Sequence, residues 1–403
     1  MIENITAFIG WHEFLLVVLS MCLCWILVAL RRHIPRLTGH AGHLSAVQAM
    51  HTQPRPRVGG IAIFVTLWVS LLFVPVSIAD TYGRFMVAAS LLFIVGLLED
   101  LGFSISPRNR LLAAAIASLA VISLIGVWLP RADIPGLDAL LLHWSVGGLF
   151  TILLTAGIAN GFNMIDGANG LASLTALIAA VALSLIADQA GYTVMVQLAI
   201  MLAAGILGFL LVNYPFGLIF LGDAGAYTMG FVLSWFGIAI LVNAPEASPW
   251  AILLTMFWPA ADMLLAIYRR SRRKTAAMAA DRLHAHQMVM RALEICVLGR
   301  KRRNIANPMS TFLLAPFILA PPVAGVVFWN QPLLAFLAAV IFGVIFFSSY
   351  ATAPVVIHRY RRRVKDHRQG GRLQIDHSLN NRAENSHLLV RRPKRVTQRF
   401  RRN

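Results

Sequence analysis

Residues 139–187 read ALLLHWSVGGLFTILLTAGIANGFNMIDGANGLASLTALIAAVALSLIA, two apolar runs joined by a polar centre. Each run is close to the length that crosses a bilayer as a helix. Within the centre, Asn160, Asn163, Asp166 and Asn169 recur at every third position. That spacing keeps successive side chains on one flank of a helical turn, so the four can present oxygens toward a common point. Such a surface suits a hard cation or the polar edge of a nucleotide. Asn, Asp and Gly are equally ordinary in caps and turns, so a capped helix junction accounts for the segment as well.

The same pattern extends over most of the chain. It has 403 residues, 58% of them hydrophobic and 13% charged, with a mean hydropathy of +0.71. That composition excludes an ordinary soluble domain and predicts an all-α, polytopic membrane protein. Apolar runs near 13–30, 58–79, 85–101, 110–130, 139–160, 170–187, 192–213, 225–243, 249–268, 311–330 and 332–352 give eleven expected spans. The first run lacks a basic leader and a small-residue cleavage site, and so reads as a retained helix.

An odd number of spans puts the termini on opposite sides, and the basic residues orient them. Segments 31–57, 102–110, 269–310 and the tail from Arg359 carry 33 of the 35 Lys and Arg residues; only Arg84 and Arg131 fall in the alternate loops. By the positive-inside rule the N-terminus lies outside and the C-terminus in the cytoplasm. The net charge of +18 is then a cytoplasmic property, suited to anionic lipid headgroups and anionic substrates. Cys22, Cys24 and Cys296 suggest neither a disulfide framework nor a metal cluster.

On this topology the acidic residues of interest share the cytoplasmic face. Glu99 and Asp100 end the third span, the Asn160–Asn169 stretch ends the fifth, and Asp223 lies in Leu221-Gly222-Asp223-Ala224-Gly225 between the seventh and eighth. Carboxylates beside basic loops suit a Mg²⁺ ion and a phosphorylated substrate, because Mg²⁺ takes one or two carboxylates and fills its shell with water and phosphate oxygens. The glycines around Asp223 would let a diphosphate approach the backbone, although a plain surface turn has the same composition. In the loop 269–310, Arg269, Arg270, Arg272, Arg273 and Lys274 read best as a topology anchor. His284 and His286, two apart, cannot share a helix face, so either the segment is irregular or only one ring faces the site. No cysteine or third clustered ligand accompanies them, which argues against zinc.

Taken in order, His51-Thr52-Gln53-Pro54-Arg55-Pro56-Arg57-Val58-Gly59-Gly60, Glu99-Asp100, Asn163-Met164-Ile165-Asp166-Gly167-Ala168-Asn169-Gly170-Leu171-Ala172, Gly222-Asp223-Ala224-Gly225 and Asp281-Arg282-Leu283-His284-Ala285-His286 resemble the polyprenyl-phosphate N-acetylhexosamine-1-phosphate transferases, glycosyl transferase family 4. The resemblance covers about residues 13–350. It implies a Mg²⁺-dependent enzyme of the bacterial inner membrane, with Mn²⁺ as a substitute ion and a multi-pass fold whose active site faces the cytoplasm. Undecaprenyl phosphate would attack a UDP-N-acetylhexosamine, giving polyprenyl-diphosphate-sugar and UMP. By the same resemblance Asp100, Glu99, Asp166 and Asp223 are catalytic, with Asp223 and Asp166 on the metal. His51, Arg57, Asn160, Asn163, Asn169, Arg282, His284 and His286 are implied to bind substrate, and Asp262 matches a further family acid. Membrane lipids are implied partners, a homodimer is compatible with the family, and no specific nucleic acid is expected.

Two positions depart from the family pattern: Glu99 stands where paired aspartates are usual, and Gln287 where many members have a third histidine. The Asp-Arg-x-His-x-His form looks more like the transferases that start O-antigen, common-antigen or teichoic-acid chains than like the muramoyl-pentapeptide branch. A phosphate monoester has a second pKa of about 6, so the lipid phosphate needs little help losing a proton, and Asp100 reads as positioning it. The competing reading is a secondary transporter, but such carriers place their acids near the bilayer midplane.

Residues 1–358 thus form the expected transferase domain and 359–403 a basic, solvated tail. Within the tail, residues 376–403 resemble a fragment of an insertion-sequence transposase, Glu384 matching a catalytic acid without its partners. A gene fusion with no transposase activity is the expectation, and an Arg-rich membrane-anchored nucleic-acid binder ranks last, for want of interleaved aromatics.

Overall fold

The computed structural model describes residues 10–38, 55–272, 284–299, 302–353 and 355. His51, Asp281, Arg282 and the tail from Arg359, with Glu384, lie outside them. The chain forms α1 (Trp11–Leu30), α2 (Gly60–Ser70), α3 (Val76–Asp100), α4 (Pro107–Ile125), a short α5 (Leu137–Leu141), α6 (Trp144–Ile165), α7 (Leu171–Gln189), α8 (Thr193–Asn213), α9 (Gly222–Asn243), α10 (Pro249–Thr255), α11 (Phe257–Arg272), α12 (Ala285–Leu293), α13 (Arg303–Val327) and α14 (Pro332–Ala353). Among the described residues there is no strand, and nine helices are long and apolar enough to cross a membrane. The protein is an all-α polytopic membrane protein.

Two expected spans take a different form. The ninth is broken, with α10 and α11 meeting at 86° around Met256. Pro259 explains the break: it has no N–H to give the carbonyl of Thr255, and its ring obstructs a ladder running straight through. The second span shrinks to the 11 residues of α2, and α3 begins already at Val76, directly after Pro75. Proline is favoured beside a helix start and disfavoured within one. The first turns of α3 carry an exposed Asp80–Arg84 pair at 2.8 Å.

The centre of the bundle is α9, whose apolar window is 89% buried, against 22% for α1 and α4 and 17% for α14. In a bilayer the apolar effect cannot favour one helix neighbour over lipid, so close packing through small residues decides which helices meet. α9 carries Gly222, Ala224, Gly225, Ala226 and Gly230 along its first half. A Cβ on Gly96 of α3 would lie 2.6 Å from the Ala224 Cα, and one on Gly230 would lie 2.8 Å from the Ala159 Cα of α6. Gly60 of α2 abuts Gly225 backbone to backbone. The small residues therefore draw the start of α2, the end of α3 and the end of α6 around the start of α9.

Candidate active site

The site is built at that convergence. Two short loops first lie side by side: Phe220 donates its N–H to the Pro56 carbonyl at 2.7 Å, and Gly59 and Gly60 donate to the carbonyls of Phe220 and Leu221, both at 2.9 Å. This pairing sets Arg57 against the start of α9. Gly222 turns the chain into the helix with φ of +76°, a backbone region that side chains rarely adopt. A Cβ there would also strike the Arg57 carbonyl oxygen and the Asp100 carboxylate.

Asp100, the last residue of α3, is 2% exposed and holds the other side of this turn. Its Oδ1 accepts the N–H of Asp223 at 2.8 Å and its Oδ2 the N–H of Ala224 at 2.9 Å. The first N–H groups of a helix have no partner in their own ladder and carry its positive end. A carboxylate from another helix satisfies two of them here and thereby fixes Asp223.

Asp223 itself, buried, meets two guanidinium groups. Arg57 Nη2 is 3.7 Å from its Oδ1, and Arg110 of α4 pairs with its Oδ2. Arg110 lies on the first turn of α4, which is capped by Ser106 accepting the Asn109 N–H at 3.2 Å, with Pro107 in the first turn. Asp166 follows α6 as its cap and accepts the N–H of Gly222. Burial pushes its carboxyl up to about 7, with Arg57 acting in the opposite sense. Asp100 lies within electrostatic range of both Asp166 and Glu99, and Glu99 Oε2 is buried with no hydrogen-bond partner among the described residues.

The asparagines divide into two groups. Asn160 accepts a hydrogen bond from the Tyr227 hydroxyl at 3.2 Å, and Asn163 reaches the same hydroxyl, so both face α9 beside the acids. Asn169 is drawn elsewhere: its N–H goes to Asn307 Oδ1 at 2.7 Å, its amide to the Pro215 carbonyl at 2.8 Å, and its carbonyl accepts from Thr311 at 2.7 Å. Asn213 completes this junction by accepting the Gly170 N–H at 2.6 Å. The spacing of three thus holds only while the helix lasts, to Ile165. Beyond it the chain turns through Gly170 at φ of +75°, and Asn169 clamps α13 to the turn.

His284 and His286 stand on the same side after all, because His284 is the extended N-cap of α12 and not part of its helix. Their rings lie parallel, 5.9 Å apart. His284 Nδ1 is 2.7 Å from Asp262 Oδ2. His286 is enclosed, and burial lowers its imidazole to about 4, so it is neutral at physiological pH.

The arrangement thus brings together Arg57, Glu99, Asp100, Asn160, Asn163, Asp166 and Asp223 and excludes Asn169. Arg110 and Tyr227 complete it, and neither was expected from the sequence; the signal for Arg110 was its place eleven residues past Glu99, opening the next helix.

The chain is similar to known proteins of one family. The model of glycosyl transferase family 4 matches residues 83–241, the region holding all four acids. The chain is 28% identical over 340 residues to a decaprenyl-phosphate N-acetylglucosaminephosphotransferase of Mycobacterium tuberculosis, covering 77% of this chain and 81% of that protein. It is 28% identical over 244 residues to an undecaprenyl-phosphate alpha-N-acetylglucosaminyl 1-phosphate transferase of Yersinia pestis, covering 59% and 66%. A probable undecaprenyl-phosphate N-acetylglucosaminyl 1-phosphate transferase of Bacillus subtilis is 27% identical over 243 residues, covering 60% and 67%. The ordered motifs, the matched region and these relatives agree in likening the chain to glycosyl transferase family 4, the polyprenyl-phosphate N-acetylhexosamine-1-phosphate transferases.

Proposed function

We propose that the protein transfers N-acetylglucosamine 1-phosphate, or a close N-acetylhexosamine analogue, from its UDP derivative to undecaprenyl phosphate. An oxygen of the lipid phosphate forms a bond to the sugar-bearing phosphorus, the bond between the two donor phosphorus atoms' bridging oxygen and that phosphorus breaks, and UMP leaves. The observation that carries this reading is the cluster of Arg57, Arg110, Asp166 and Asp223 at one end of the bundle. Two anionic substrates must be aligned against their repulsion, and phosphoryl transfer asks for positioning and charge stabilisation more than covalent chemistry.

The residues present fit Mg²⁺. Asp166 and Asp223 flank Gly222, and the buried carboxyl of Asp166 is hard to ionise without a cation beside it. No group of three or more His, Cys, Asp or Glu side chains is arranged as a metal cage among the described residues. Mg²⁺ needs no such cage, taking one or two carboxylates with water and phosphate oxygens, and Mn²⁺ fits the same donors. Asp223 and Asp166 would hold the ion, which when bound supplies charge neutralisation on the donor diphosphate. Arg57 and Arg110 face phosphate oxygens, Asn160 and Asn163 with Tyr227 supply hydrogen bonds to the nucleotide, and Asp100 holds the start of α9 in place. His284 and His286 meet the phosphate or the sugar.

The distribution of basic residues supports an N-terminus outside and this site on the cytoplasmic face of a bacterial inner membrane. The product would start a lipid-linked envelope glycan of the O-antigen, common-antigen or teichoic-acid kind. The tail from residue 359 is read as dispensable for transfer. Incubation of the purified protein with undecaprenyl phosphate, Mg²⁺ and a panel of UDP-amino sugars tests the reading. UMP release with UDP-N-acetylglucosamine is expected, and none with any donor would overturn it.

A further inference from the structure

Asp262 is fully buried in α11, inside a broken membrane span, and its carboxylate is claimed by residues on the far side of the basic loop. Oδ2 is 2.7 Å from His284 Nδ1, and Oδ1 accepts the Ala285 N–H at 3.2 Å. α11 begins against the turn of α6 that carries Asn160 and Asn163: a Cβ on Gly161 would lie 2.7 Å from the Pro259 carbonyl oxygen. A buried acid of this kind is costly to keep, and pairing removes only part of the cost. Its chemistry is specific. A carboxylate can only accept, so Nδ1 of His284 must carry a proton, and in the neutral ring Nε2 is left as a bare acceptor for another partner. His286 stacks parallel on that ring, with both nitrogens buried and without a hydrogen-bond partner among the described residues.

We infer that Asp262 is a positioning residue for the transfer reaction: it fixes the tautomer and direction of His284, so that the unprotonated Nε2 accepts a hydrogen bond from a hydroxyl of the substrate's sugar. The inference rests on the reading above that His284 meets the substrate. Asp262→Asn keeps the shape and the acceptor for Ala285, but its amide can donate to Nδ1 and turn the imidazole into the other tautomer.

The test is a double-mutant cycle with UMP release as the readout, using Asp262→Asn, His284→Ala and the pair together. Asp262→Asn should lower kcat by about 10–100-fold, the scale of outer partners that orient a working group. KM for UDP-N-acetylglucosamine should move less than about threefold, as for an interaction used mainly in the transition state. In the His284→Ala background Asp262→Asn should cause no further loss, because its effect runs through the histidine. Independent, multiplying losses would mean that Asp262 only staples the loop, and would overturn the inference. Wild-type activity in His284→Ala would instead remove the reading beneath it. If Asp262→Asn does not fold, nitrogen NMR of the histidine-labelled wild type in liposomes decides, with His284→Ala assigning the signal. A proton on Nδ1 supports the inference and a neutral ring protonated only at Nε2 overturns it.

Discussion

Replacing Asp100 by asparagine separates an anchor from a catalytic base. Asp100 takes two backbone N–H groups at 2.8 and 2.9 Å and is 2% exposed. Asparagine preserves the outline, but only its oxygen can accept; its amide must face the second N–H, donor against donor. Weakening one charge-assisted bond and orphaning a buried donor each cost roughly 1–3 kcal/mol. Relief from burying the carboxylate among Asp166 and Glu99 offsets part of this, leaving a net loss of about 2–4 kcal/mol. Thermal unfolding of the detergent-solubilised protein without substrates should show a midpoint lower by roughly 3–8 °C. Glu99→Gln is the control, since Glu99 Oε2 has no hydrogen-bond partner among the described residues; its midpoint should move by less than about 2 °C. An unchanged midpoint in Asp100→Asn together with lost activity would refute the anchor and return Asp100 to the substrate.

Gly222→Ala should be poorly tolerated, because its φ of +76° and its contact with Arg57 and Asp100 leave no room for a methyl group; yield and melting midpoint after extraction should both fall, by about 2 kcal/mol or more. Two buried groups give stability opposite slopes with pH, so each is read from its own variant. His286 is lowered to about 4, so the folded state resists its protonation, and acidification from pH 6.5 toward 4.5 should destabilise the wild type more than His286→Gln. Asp166 is raised to about 7, so lowering the pH from 8 to 6 should stabilise the ligand-free wild type, a gain that Asp166→Asn lacks. A chain ending at Gly370, which keeps the Arg359–Lys365 cluster, should release UMP at the full-length rate at matched membrane levels; a large fall would show that the tail belongs to the enzyme.

The membrane spans were legible because apolar length is a strong signal, and so was the gathering of Glu99, Asp100, Asp166 and Asp223 at one end. What escaped depends on contacts between distant segments. Asn169 shares the period of Asn160 and Asn163 in the sequence, yet α6 stops at Ile165, and Asn307 and Thr311, far along the chain, decide where it goes. The hold of Asp100 on α9 was not legible, because its partners there are backbone N–H groups, which leave no mark in a residue pattern. Pro259 was in plain view inside the expected ninth span, but whether a membrane proline kinks a helix or breaks it depends on its neighbours. Arg110 was counted only for topology, whereas the turn between α3 and α4 brings it back to Asp223.

The central claim is that Asp223 is the acid around which the transfer is organised. Its direct test is UMP release from UDP-N-acetylglucosamine and undecaprenyl phosphate, in Mg²⁺, by purified wild type and by Asp223→Asn of matched melting behaviour. The change removes one charge and almost no volume, so a loss of at least about 100-fold in kcat is expected, the scale for deleting a group that stabilises transition-state charge. Turnover within about threefold of wild type would contradict the account, since so small a change leaves that charge stabilisation intact.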